Sequence, residues 1–407
     1  MLYNLCMKII ITTLFGLESP TRDDLLAINY KKEQITVQDG VVILDVDDSN
    51  WALDIARVNM WVRRGERVFF EVGEFECTDF DCFFESCRKL PWGDFIPKDY
   101  AFVVNGFSRK SILFGVPSLQ SLSKKAIARS VLSSRGMPEG TTLYEDSSKG
   151  TVKIQFGIVS DVCRMMIDTT GEGLHKRGYR PLTHMAPIRE TLASGMVSLA
   201  HYEPFKSEAL CDPFCGSGTI VIEAALMALG IAPGKLRAFS YEELPYIGTA
   251  MQRKALAEAL ANEDTSPMDD CFFYGSDIDP DAINNARINA EAAGVSDFVR
   301  FKVSDAYYMT PEYLFDYTDF DRQLIITNPP YGGRLMTPEE ADDLYCLIAD
   351  NYLTQNGLCR KGVRLSVITP DSAFEDATGT RADKRVKLYN GNIMCHLFNF
   401  YKLDRNA

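Results

Sequence analysis

The residues best suited to chemistry in this 407-residue chain are Asn328-Pro329-Pro330-Tyr331. They follow Leu324-Ile325-Ile326-Thr327, an apolar run that reads as a buried strand. The Asn328 side-chain oxygen and the Pro329 carbonyl can each accept one N–H of a planar, poorly nucleophilic amine. Together they would aim its nitrogen at an electrophile and favour tetrahedral geometry as positive charge develops. Two prolines hold the acceptors rigid. Tyr331 offers a face for a base taken out of its own stack. Asn-Pro-Pro is also a good strand terminator, but termination alone does not require amide, carbonyl and ring together.

Three further motifs have the character of a cofactor site. In Asp212-Pro213-Phe214-Cys215-Gly216-Ser217-Gly218-Thr219 a strand runs into a Gly-rich turn and then an apolar helix. Glycines allow close backbone approach, and the helix start offers free N–H groups. The spacing is neither the dinucleotide pattern nor a P-loop. In Ser276-Asp277-Ile278-Asp279-Pro280 two acids compete to accept from ribose hydroxyls. Asp279 precedes a proline and suits a helix N-cap. That leaves Asp277 for the ribose and Ile278 for a flat ring. Asp305, with Ala306, ends another short strand, where an acid can accept from an exocyclic adenine amine. Glu223 interrupts the apolar helix 219–229 and reads as structural, with a hydrogen bond to the Gly-rich loop as one option.

These motifs need a doubly wound scaffold. From about residue 165 apolar strands alternate with helices: 209–211 then 219–229, 272–277 then 281–293, 299–303, 324–327 and 365–369. That alternation predicts a parallel sheet covered on both faces. Residues 1–55 read as a small α+β unit, with a strand at 9–14 and a hairpin over 34–46 around Asp39-Gly40. Met7-Lys8 is a candidate natural start, because the six residues before it fit no pattern. Residues 56–160 mix strands (68–72, 101–105, 152–159) with an amphipathic helix over 118–132.

The net charge of −13 argues against a nucleic-acid partner, but its distribution does not. Residues 101–200 carry 13 basic and 7 acidic side chains, an island between two acidic flanks. Arg109, Lys110, Lys124, Lys125, Arg129 and Arg135 lie in a stretch with no acid. Phosphate needs local positive charge, although a solvated helix face has the same composition. His175, Lys176, Arg177 and Arg180 form a second basic stretch, either an RNA clamp or a plain linker; 381–387 has the same ambiguity. Eleven cysteines without a Cys-x-x-Cys pair suit reduced thiols in a cytoplasm rather than a metal site. No apolar run is long enough for a membrane helix.

Taken together, the motifs resemble the THUMP-domain class I RNA methyltransferases, the family that includes the bacterial 23S ribosomal RNA guanine-N2 enzymes. Residues 118–127, 173–180, 186–193, 212–225, 276–280, 328–332 and 387–391 carry the resemblance. It implies a C-terminal Rossmann-like domain over 165–407, a ferredoxin-like unit over 1–55 and a THUMP domain over 56–160. It further implies S-adenosylmethionine as methyl donor, structured RNA as substrate, no metal, and a monomer or weak homodimer. Asn328 would serve both catalysis and the cofactor. Many relatives carry an acid where this chain has Gly333. That departure bears on how the guanine edge is read.

Overall fold

The computed structural model describes residues 7–138, 140–180, 188–202, 208–264, 271–331, 337–370 and 374–403. The N-terminal part opens with β1 (Met7–Thr13), α1 (Glu18–Ala27), β2 (Ile35–Gln38), β3 (Val41–Val46), α2 (Trp51–Trp61) and β4 (Gly65–Glu76). It continues with α3 (Phe80–Lys89), α4 (Trp92–Phe95), β5 (Tyr100–Arg109), α5 (Val116–Ser134), β6 (Asp146–Val159) and β7 (Val162–Asp168). The strands form one seven-stranded sheet in the order β2-β3-β1-β4-β7-β6-β5. Its first four strands and two helices have the split βαβ order of a ferredoxin-like unit. A division after residue 55 falls inside α2, and β4 continues the unit to Glu76, where it pairs with β7. The expected hairpin at Asp39-Gly40 forms, with Gly40 at a φ of 73°.

The C-terminal part contains α6 (Glu190–Leu199), β8 (Glu208–Asp212), α7 (Thr219–Ala228), α8 (Gly248–Ala261), β9 (Cys271–Asp277), α9 (Pro280–Ala293), β10 (Val299–Val303) and α10 (Pro311–Thr318). It ends with β11 (Arg322–Thr327), α11 (Pro338–Tyr352), β12 (Val363–Thr369), α12 (Phe374–Thr378), β13 (Lys384–Asn390) and β14 (Ile393–Phe400). The second sheet has the order β10-β9-β8-β11-β12-β14-β13. β8 is buried along its whole length, as a central parallel strand covered on both faces must be. Helices α6, α7 and α9 cover one face, and α10, α11 and α12 the other. The sheet is not wholly parallel, because β14 runs antiparallel to both neighbours. The basic segment 381–387 therefore contributes to an edge strand, where charged side chains discourage further pairing.

The two sheets share more than a linker. Ala232, Phe239, Tyr241, Leu244, Ile247, Ala255 and Ala259, all beyond α7, pack into the core of the N-terminal sheet. Arg57 on α2 makes two hydrogen bonds of 2.7 Å to Glu258 on α8.

Glu223, fully buried in the middle of α7, is the polar centre of this seam. Arg63, just before β4, approaches it at 3.4 Å, and Arg177 at 3.3 Å. The Tyr179 hydroxyl donates to it at 3.2 Å. These partners, rather than the Gly-rich loop, occupy its side chain. Arg177 is accordingly buried and is not a phosphate ligand; its remaining donors go to the carbonyls of Leu174 and Arg63. Among the described residues no helix is long and apolar enough to cross a membrane.

Removing one partner of a buried ion pair leaves uncompensated charge, at about 3–5 kcal/mol. Glu223→Ala should lower unfolding stability by that order in urea titrations, and Glu223→Gln by less. Equal stability of Glu223→Ala and wild type would show that Arg63 and Arg177 are satisfied without it.

Candidate functional site

In an open parallel sheet the strand order reverses at one point, and ligands bind in the crevice outside the carboxyl ends of the strands there. Here the reversal lies between β8 and β11, with β9 and β10 to one side. All four chemical motifs end at that crevice. Asp212 closes β8 and Thr327 closes β11, and the Thr327 hydroxyl donates to Asp212 Oδ1 at 2.7 Å. The same oxygen accepts the Phe214 N–H at 3.1 Å. Burial pushes the Asp212 carboxyl up to about 7.

The Gly-rich turn is tied to the next strand by backbone and side chain. Cys215 N–H donates to the Ser276 carbonyl at 2.9 Å. Gly216 N–H donates to Asp277 Oδ2 at 2.9 Å, and Asp279 N–H to Asp277 Oδ1 at 3.0 Å. Both Asp277 oxygens thus brace the turn and the start of the following loop. Asn289 on α9 donates to the Ser217 carbonyl at 3.0 Å. Gly218, at a φ of 80°, has no room for a Cβ, which would come within 2.7 Å of the Phe301 ring. At Gly216 a Cβ would meet nothing within 4 Å, so the turn is open on that side. Pro213 and Cys215 are buried beneath it, and Phe214 is half-buried. Thr219 begins α7, and its hydroxyl accepts from Arg180.

Ile278, just past the end of β9, is 68% exposed. Asp279 is the N-cap of α9, accepting from Asp281 N–H at 2.9 Å, and Pro280 is its first helical residue. Asp305 is exposed and caps a 3₁₀ turn by accepting from Tyr307 N–H at 2.9 Å. Ser304 N–H donates to the Asp277 carbonyl at 2.9 Å, which places this loop beside the preceding one. Ala306 is buried.

Asn328 follows β11 directly, and its side-chain oxygen is buried without a hydrogen-bond partner among the described residues. Such an atom costs free energy until something donates to it. Pro329 is buried, and Pro330 and Tyr331 are half-buried. The Tyr331 hydroxyl accepts from Asn390 Nδ2 at 2.9 Å, so the end of β13 holds the ring in place. Gly333 lies outside the described residues, as do Ala186 and Pro187.

Sequence reasoning missed Thr327, Asn390, Tyr307 and Tyr308. Thr327 carried a faint signal, a hydroxyl ending an apolar strand. Tyr307 and Tyr308 are more than 60% exposed next to Asp305.

The basic candidates divide. Arg109 and Lys110 are exposed at the end of β5. Lys124, Lys125 and Arg129 are exposed along α5. Lys124 pairs with Glu145 at 3.4 Å and lies 5.3 Å from the centre of the Phe102 ring. Together with Val104, Gln120, Ser121 and Lys125 it lines a cavity of about 420 Å³. In the other stretch, Lys176 is exposed and pairs with Glu172 at 2.9 Å. His175 is half-buried beside Glu66. Arg180 is a further correction: it pairs with Glu190 at 3.3 Å and braces the start of α7, so it too is structural. The physical reason is shared with Arg177: each guanidinium neutralises a buried carboxylate at the seam.

Known proteins combine these features. The family model for the RMKL-like methyltransferase domain matches residues 177–399, and that for the RlmL ferredoxin-like domain matches residues 8–69. YpsC of Bacillus subtilis (strain 168), which carries an RNA methyltransferase name, is 33% identical over 98% of this chain and 96% of its own. The ribosomal RNA large subunit methyltransferase K/L of Psychromonas ingrahamii is 32% identical over 84% of this chain and 44% of its own. The chain thus spans about half the length of that relative. The crystal structure of SMU.472 complexed with SAH superimposes with a TM-score of 0.84, at 31% identity over 98% and 99% of the two chains. A predicted N6-adenine-specific DNA methylase from Listeria monocytogenes gives a TM-score of 0.84, at 33% identity over 97% and 96%. With its motifs gathered at the switch point of the second sheet and its first sheet opening on a ferredoxin-like unit, the chain belongs to the RMKL-like methyltransferase family.

Proposed function

We propose that this chain transfers a methyl group from S-adenosylmethionine to the exocyclic N2 of a guanine in structured RNA, with 23S ribosomal RNA as the favoured substrate. The observation that carries the reading is the partnerless buried oxygen of Asn328, at the crevice that the Gly-rich turn also faces. The cofactor supplies an electrophilic methyl on a sulfonium, so the protein needs neither a covalent nucleophile nor a metal. Gly216 with the start of α7 fits its amino-acid part, Asp277 its ribose and Ile278 its adenine. Asn328 Oδ1 and the Pro329 carbonyl would accept the two amine hydrogens and turn the nitrogen lone pair out of conjugation. Tyr331, steadied by Asn390, would stack on the flipped base.

The large-subunit names among the relatives support ribosomal RNA, and the exposed Arg109, Lys110, Lys124, Lys125 and Arg129 support an RNA-binding, THUMP-like role for residues 56–160. These residues would meet phosphate in a cytoplasmic monomer or weak homodimer. A second reading, adenine N6, has one specific support, the name carried by the Listeria relative. Nucleoside mass spectrometry of ribosomal and transfer RNA from a deletion strain separates the two. Loss of N2-methylguanosine is expected, and loss of N6-methyladenosine would replace the guanine reading. In the same assay Asn328→Ala should lower turnover about 10²–10³-fold with S-adenosylhomocysteine affinity nearly unchanged. Near-normal turnover would end the amine-orienting mechanism.

Asp212 gives a pH dependence. In the cofactor-free chain the native state keeps a carboxyl proton up to about pH 7, while the unfolded chain releases it near 3.8. Stability on this account falls as pH rises through that window and stays low above it. Asp212→Asn keeps the acceptor for Thr327 and Phe214 without the charge. Its melting temperature should therefore gain on the wild type between about pH 4 and 7 and keep that gain above 7. Parallel pH curves for the two proteins would refute the buried proton. On the other sheet, Lys124→Ala with Lys125→Ala should weaken RNA binding and reduce the slope of log K against log salt by about 1–2. An unchanged slope would make α5 a plain surface.

A further inference from the structure

The loop between β1 and α1 reaches the lip of the crevice. Gly16, at a φ of 91°, packs so closely on β13 that a Cβ there would run into the Lys387 carbonyl oxygen. Its N–H donates to Glu18 Oε2 at 2.8 Å, and Glu18 Oε1 accepts from Gly40 N–H at 3.0 Å, so the loop is held at both ends. This contact presents Phe15, an exposed phenylalanine, beside a strand of the other sheet. The Phe15 and Tyr389 rings meet edge to face, with centroids 6.3 Å apart. Lys387 Nζ lies 6.0 Å from one centroid and 5.6 Å from the other. It has no carboxylate partner among the described residues. Met394, exposed and directly across the β13–β14 ladder from Tyr389, extends the apolar rim. The next residue along β13 is Asn390, whose amide holds the Tyr331 hydroxyl.

Two rings and an unpaired ammonium have the composition of a stacking platform for single-stranded nucleic acid: a π-face for a base and a cation for its phosphate. We propose that Phe15, Tyr389 and Lys387 bind the unpaired nucleotide next to the target base. The ferredoxin-like unit would then supply one wall of the RNA entrance in addition to its packing role. The position fits that occupant. Tyr389 directly precedes Asn390, which steadies Tyr331; their side chains leave opposite faces of β13, so the platform and Tyr331 flank one end of the same edge strand. Extruding the target leaves the neighbouring base without its own stacking partner. This inference rests on the reading of Asn328–Tyr331 as the site of base methylation.

The test uses the full chain, radiolabelled S-adenosylmethionine and total RNA from a strain lacking the protein. Phe15→Ala and Tyr389→Ala should each raise the apparent KM for RNA about tenfold, with kcat, S-adenosylhomocysteine affinity and melting temperature close to wild type. Phe15→Tyr and Tyr389→Phe should restore the KM, whereas Phe15→Leu should not. An unchanged KM in both alanine variants overturns the platform, as does full restoration by leucine, which would mark apolar packing rather than stacking. A change of oligomeric state in Phe15→Ala would assign the patch to a second copy of the chain and equally overturn it. Absence of methyl transfer to any RNA by the wild type defeats the underlying reading as well. Methyl transfer with unaltered KM values defeats the platform alone.

Discussion

The carboxylate of Glu223 sets the terms for the rest of the molecule. It is fully buried in the helix that starts at the Gly-rich turn, and a lone charge there would be untenable. Two arginines make it tolerable, and neither comes from the sheet that α7 covers. Arg63 arrives from the N-terminal sheet and Arg177 from the connection between the sheets. Burial lowers Arg63 to about 10, a sign of how little water reaches the cluster. A neighbouring pair repeats the arrangement: Asp24 on α1 accepts both the Arg63 and Arg64 N–H groups, at 2.9 and 3.0 Å. The axis of α7, and with it the cofactor turn, is therefore referenced to the ferredoxin-like unit. Buried ion pairs add little net stability against apolar substitutes. What this one supplies is a single way for the two sheets to meet.

That constraint gives the crevice its rigidity. The Gly-rich turn is bonded to β9 through Ser276 and Asp277, to α9 through Asn289, and to β11 through the Asp212–Thr327 hydrogen bond. Nearly every polar group in this shell has a partner inside the protein. Among the described residues the exceptions are the Asn328 oxygen and the Ser276 hydroxyl, both buried without a hydrogen-bond partner. A site can tolerate one unsatisfied acceptor when the surrounding shell prevents it from relaxing. The same rigidity reaches the lip, where Gly16 presses Phe15 against β13 and Asn390 reaches back to Tyr331.

The chain is acidic overall, yet its exposed cations cluster. Among the described residues, Arg109 and Lys110 at the end of β5, Lys125 and Arg129 on α5, and Lys387 are exposed and open to a polyanion. Arg177 and Arg180 of the junction segment have been drawn into buried ion pairs instead, while Lys176 stays exposed. Local field and access, rather than net charge, decide which arginines can meet phosphate.

The sequence by itself determined the five parallel strands of the second sheet, β8 to β12, and which motifs follow them. Central strands buried on both faces read as continuous apolar runs, and Asp212–Thr219, Asp277 and Asn328–Tyr331 each end such a run, while Asp305 follows the exposed edge strand β10. Adjacency in the chain placed them at strand ends, and a doubly wound topology has one crevice to which those ends can converge. Asp279 as a helix cap was legible for the same local reason. Only the tertiary structure decided what depends on contacts distant in sequence. Glu223 finds Arg63 160 residues away, and a charged pattern has no feature that tells a buried pair from a solvated one. That is why Arg177 and Arg180 read as surface cations. The strand at 384–390 was hidden because an edge strand needs few apolar residues. Its partner across the crevice, Tyr331, and its neighbour on the other sheet, Phe15, became visible only when the two sheets were brought together.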